Sequence, residues 1–112
     1  MNENSVYKCL VNFLDFKDSN LKDLFCNVNF EHRPDKTNLE LTFDMVDKKL
    51  YKSITDMLYE RHNRNIDVMD IKLVLINKLG IIVNELNFKQ VFDGFNYDFK
   101  DNIVKLKFSS VI

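Results

Sequence analysis

Cys9, Cys26, His32 and His62 are the side chains of this chain that a borderline metal ion would choose, and four such donors suit tetrahedral zinc. Zinc sites grow from local pairs, however, and neither C-x-x-C nor H-x-x-x-H spacing occurs. The expectation is two thiols on apolar faces and two surface imidazoles, with no metal and no cofactor. A reducing compartment suits such thiols, and a disulfide between them remains open. Asp44 with Asp47, and Asp67 with Asp70, have a spacing that could grip a divalent ion. Each pair precedes an apolar segment expected to be helical, where aspartate caps free amides and favours the positive end of the dipole.

Pro34-Asp35 followed by Glu40-Leu41-Thr42 faintly resembles the PD…ExK nuclease pattern, in which carboxylates hold Mg²⁺ and a lysine activates water. Thr42 stands in the lysine position, and the spacing is that of a hairpin loop. A small metal-dependent nuclease is therefore only the third reading. Arg61, His62 and Arg64 cluster where a helix should end, a place where cations cap carbonyls and a phosphate contact is secondary. With two glycines in all, no phosphate-cradling loop can be built, and no serine or cysteine stands in a nucleophile motif. The chain reads as non-catalytic.

The elements that would position these groups follow from periodicity. Val6, Cys9, Leu10, Phe13 and Leu14 recur at helical spacing over residues 4–16, and Ser19 or Asn20 could cap a second short helix through Phe25. Val28, Phe30 and His32, then Leu39, Leu41 and Phe43, alternate around the loop 33–38, which predicts a β-hairpin. Residues 46–62 form the clearest amphipathic helix, with Val46, Leu50, Ile54, Met57 and Leu58 on one stripe. Residues 67–79 are apolar on nearly every side and predict a buried central helix ended by Gly80. A further helix is expected over 84–93, from Phe88, Val91, Phe92 and Phe95, and a last hairpin from Tyr97 and Phe99 to Val104, Leu106 and Phe108.

The two ends of the chain echo each other. Val6–Phe16 aligns with Ile71–Ile81, Asn20–Glu31 with Asn87–Asp98, and Leu39–Phe43 with Val104–Phe108; of these 28 positions 9 are identical. In so Asn- and Lys-rich a chain this is suggestive of a repeat, 5–44 and 70–109, joined by the helix 46–62. The expected fold is a single α+β domain, residues 1–112. A helix, helix, hairpin unit would be used twice around a central amphipathic helix, with antiparallel hairpins packed on helices and a winged-helix-like second half.

That second half raises DNA. A helix over 84–93 would present Asn84, Asn87 and Gln90 to base edges and Lys89 to a phosphate, with Lys100, Lys105 and Lys107 on the wing. Against it stands a formal charge of −1, from 16 basic and 17 acidic side chains, which gives no basic footprint. The absence of Ala, with 14 Asn, marks an AT-rich genome and lowers the weight of any lysine cluster. No apolar run is long enough to span a bilayer and no leader is visible, so a cytoplasmic protein is expected.

The leading expectation is a small interaction protein, a regulator or inhibitor that docks on a larger protein partner, as phage, viral or mobile-element proteins do. Tyr7, Tyr51, Tyr59 and Tyr97 are its candidate contacts, because tyrosine is favoured at interface hot spots. A winged-helix DNA-binding regulator is the alternative, and the state is monomer or homodimer.

Overall fold

Alternation at a period of two dominates the folded chain far more than the helical periods suggest. The structure, a computed structural model, describes residues 8–110. Among the described residues, six strands and one α-helix follow in the order β1 (Lys8–Phe13), β2 (Leu24–His32), β3 (Thr37–Phe43), α1 (Lys48–Asn63), β4 (Val68–Ile76), β5 (Ile82–Asp98) and β6 (Ile103–Ser110), with a 3-10 turn at Ser19–Leu21. The strands close into an antiparallel barrel in the order β1-β2-β3-β6-β5-β4. The helix-rich α+β arrangement with a winged-helix half is thereby overturned.

Three expected helices are strands, each for a stated reason. In β1 the inward residues are Cys9, Val11 and Phe13, a period-two set that the outward Leu10 disguised as helical spacing. In β4, Met69, Ile71 and Leu73 point inward while Val74 is buried on the other face, so from Leu73 to Ile76 both faces are apolar and the run resembles an all-round helix. In β5 the inward Phe88, Gln90 and Phe92 give way to Phe95 and Tyr97 after a register shift between Phe92 and Gly94. The extra residue of this bulge moves the apolar phase by one, which imitates a helical period.

The helix, helix, hairpin repeat fails with those helices. What the structure has instead is two three-stranded meanders, β1-β2-β3 and β4-β5-β6, joined edge to edge by β1 with β4 and β3 with β6. Leu41 lies directly opposite Leu106, flanked by Leu39 opposite Phe108 and Phe43 opposite Val104. Those six side chains are almost wholly buried and fill the middle of the barrel with Val11, Phe13, Ile71 and Leu73. A barrel this narrow is packed by its own side chains and leaves no central lumen.

The helix α1 is where the amphipathic stripe predicted it, and Asp47 caps it by accepting the Leu50 amide at 2.8 Å. It lies over the barrel end formed by the β1–β2 and β5–β6 connections. Ile54 and Met57 are buried there, with Phe16 and Leu21 from the β1–β2 connection. Asp18 caps the 3-10 turn, and the Asn20 amide that it accepts holds its carboxyl below the usual range. At the other end, the Asn77 carboxamide oxygen accepts the amides of Leu79 and Ile81 and shapes the β4–β5 turn. Phe30 and Phe88 meet across that end with ring centroids 5.5 Å apart. No helix among the described residues is long and apolar enough to cross a membrane.

Candidate functional site

The end covered by α1 carries an exposed aromatic surface. The β5–β6 turn is a short one, in which the Asp98 carboxylate accepts the backbone amides of Lys100 at 3.0 Å and Asp101 at 3.3 Å. It throws Phe99 outward, where the side chain is 80% exposed. Behind Phe99 the Tyr97 ring stands at 4.5 Å, near-perpendicular, and behind Tyr97 the Tyr51 ring of α1 stands at 4.6 Å. Phe95, 37% exposed, flanks Tyr51 at 6.3 Å. Edge-to-face contacts at these distances are each worth about 0.5–1.5 kcal/mol beyond burial, so the Tyr51–Tyr97 and Tyr97–Phe99 contacts favour this arrangement of the row. The Tyr97 hydroxyl hydrogen-bonds with the Asn102 carboxamide oxygen at 3.2 Å and fixes the middle ring.

A cleft of about 540 Å³ opens beside the row, walled by Asn96, Tyr97, Phe99, Lys100, Ile103 and Lys105. Leaving a phenylalanine in water forgoes about 1.5–3 kcal/mol of burial. Here it stands at the tip of an ordered aromatic row. The chemistry on offer is apolar and aromatic contact with a polar rim, the anatomy of a binding surface.

The candidate tyrosines thus divide. Tyr51 and Tyr97 come together; Tyr59 stands apart, 70% exposed on α1, eight residues and about 12 Å along the axis from Tyr51; Tyr7 lies outside the described residues. Phe95 and Phe99 were legible only as pattern positions. Their aromatic company with Tyr97 at alternating positions was the available signal.

The DNA-reading set does not assemble. Residues 84–93 belong to β5, so no recognition helix exists: Asn84, Asn87 and Lys89 are exposed while Gln90 points into the barrel, 5% exposed. Lys89 lies 3.4 Å from the Asp70 carboxylate. Lys105 and Lys107 lie on the outer face of β6, and Lys100 on the turn with Asp98 and Asp101.

The metal-ligand set disperses as well. Cys9 and Cys26 are directly opposed on β1 and β2, but His32 ends β2, bonded to Thr37, and His62 lies in the last turn of α1. No group of three or more His, Cys, Asp or Glu that could hold a metal ion occurs among the described residues. Asp67 precedes a strand rather than a helix, so its expected capping role falls away. Asp44 accepts from the Asn27 amide at 3.1 Å. Asp35 and Glu40 lie on the β2–β3 turn and on β3, with Glu40 opposite Asn29 and Lys107. Arg61 stacks over Phe92 at 4.9 Å and donates to the Ile66 carbonyl, and Arg64 pairs with Glu60. The arginines are engaged in holding the end of α1.

No family model, curated protein or solved structure matches the chain.

Proposed function

We propose that this chain is a binding protein that docks on a larger protein partner through the aromatic row Tyr51, Tyr97 and Phe99, with Phe95 beside it. The observation that carries this is the 80% exposure of Phe99 at the tip of a row whose inner rings are fixed by α1 and Asn102. A pre-organised aromatic side chain loses little entropy on binding, which is why such residues become hot spots. The flanking charges favour protein over nucleic acid. Lys100 and Lys105 are offset by Asp98 and Asp101, so the patch carries little net charge and offers few counterions to release.

The test is affinity capture from cells of the source with the whole chain as bait, comparing wild type, Phe99→Ser and Tyr59→Ser. A partner retained by wild type and by Tyr59→Ser, but reduced roughly thirtyfold in affinity by Phe99→Ser, a loss of about 2 kcal/mol, is the expected result. Equal retention by all three proteins would overturn the reading. Salt-sensitive binding of single-stranded nucleic acid lost in Phe99→Ser would replace it with base stacking.

A further inference from the structure

A second site lies away from the aromatic row, at the seam between β1 and β2. The ladder there holds three residue pairs, Cys9 opposite Cys26, Leu10 opposite Phe25 and Val11 opposite Leu24, whereas β1 and β4 share six. At the Cys9–Cys26 pair a cavity of about 580 Å³ opens, lined by both cysteines with Phe25, Val28, Met45 and Leu75. Its rim is solvent-exposed: Phe25 is 63% exposed and Met45 88%. Both thiols are free.

We propose that Cys9 and Cys26 form an oxidisable dithiol, which a low-molecular-weight disulfide entering this cavity converts to a cross-strand disulfide.

Directly opposed residues of an antiparallel pair have Cβ atoms about 4.5–5.5 Å apart. A disulfide needs about 3.5–4.5 Å, so a small movement at a short ladder closes the bond. Cys9 Sγ donates to the Leu10 carbonyl at 3.9 Å; the neighbouring Cys26 thiol lowers the Cys9 thiol, and the same proximity together with burial pushes Cys26 up. Both thiols line the cavity, so either can attack an entering disulfide and the other, directly opposite, resolves the mixed disulfide.

The exchange balances in two steps. One thiol of the pair loses its proton to solvent and its Sγ attacks one sulfur of the reagent; the reagent's S–S bond breaks, a mixed disulfide forms, and a thiolate leaves with the proton of the second cysteine. The second cysteine's Sγ then attacks the first cysteine's Sγ, expelling the second reagent thiolate, which takes a proton from solvent. Two protein thiols are oxidised and one disulfide is reduced to two thiols.

Helical placement of both cysteines hid this pairing, because it gave residues 17 apart no reason to meet. Opposed strands bring them together.

The experiment is incubation of the full chain with oxidised glutathione, then non-reducing peptide mapping. Expected are an internal link between the Cys9 and Cys26 peptides, loss of both free thiols, and a melting temperature that rises and falls back on reduction. Cys26→Ser and Cys9→Ser should each trap a glutathione adduct on the remaining cysteine, and neither should form the internal link. Free thiols after incubation, separate adducts on both cysteines, or links between chains would overturn the proposal. Should either variant fail to fold, phenylarsine oxide on the wild type decides. One arsenic bridging both thiols per chain supports the dithiol, and none sinks it.

Discussion

A leucine at the centre of the barrel shows what single side chains contribute here. Leu41 and Leu106 are wholly buried and face each other across β3 and β6. Leu41→Ala removes transfer energy and leaves a void, and should cost about 3 kcal/mol in urea unfolding, with Leu106→Ala similar. The double variant enlarges one shared void, so it should cost less than the sum by at least about 0.5 kcal/mol. Strict additivity would mean that the pair does not pack as one unit. At the same scale, the sequence made some roles readable and not others. Tyr51 and Tyr97 stood out as aromatic residues with a polar tip, and they do meet. The exposure of Phe99 depends on the turn built by Asp98, which residue type alone does not reveal. The Cys9–Cys26 pairing depends on strand register and was invisible until the register was known.

Elements differ in how openly they announce themselves. The amphipathic stripe of α1 was readable, expected over 46–62 and found at Lys48–Asn63, because one face meets the barrel and the other meets water. The β2–β3 hairpin and the β5–β6 turn were readable through alternation and turn residues. Strand β4 was not, because apolar residues on both faces erase alternation. The start of β5 was not, because its bulge shifts the phase midway. The two glycines separate these causes. Gly80 sits at φ +79°, in the β4–β5 turn, where a side chain is strained although nothing crowds it. Gly80→Ala should cost about 1–2 kcal/mol. Gly94 has no positive φ, and an added Cβ would meet nothing within 4 Å. Gly94→Ala should therefore be neutral or stabilise by up to about 1 kcal/mol by restricting the unfolded chain. Thermal melts of the two variants give the comparison, and a larger loss at Gly94 would mean that the bulge itself demands glycine.

The molecule as a whole is held by pairings between residues far apart in sequence. Phe13 meets Ile71 and Phe43 meets Val104, so neither meander has both edges covered until the other arrives. An isolated edge exposes unpaired amides and carbonyls, and closure removes that liability by joining the halves. Local contacts alone therefore cannot stabilise either half well, and the search for β1–β4 and β3–β6 pairing must be made before its energy is gained. Closure of this kind belongs with slow-folding topologies, about milliseconds to seconds, rather than the microseconds of helical bundles. Refolding from urea, followed by far-ultraviolet circular dichroism and by tyrosine fluorescence, should give one coincident slow phase, because Tyr51 and Tyr97 reach their contact only when α1 seats on the closed barrel. A microsecond phase carrying most of both signals would contradict barrel closure as the limiting event. The same dependence explains why a reading from local periods missed the barrel: the β1–β4 and β3–β6 seams join strands that lie in different halves of the chain, where no local window sees both partners.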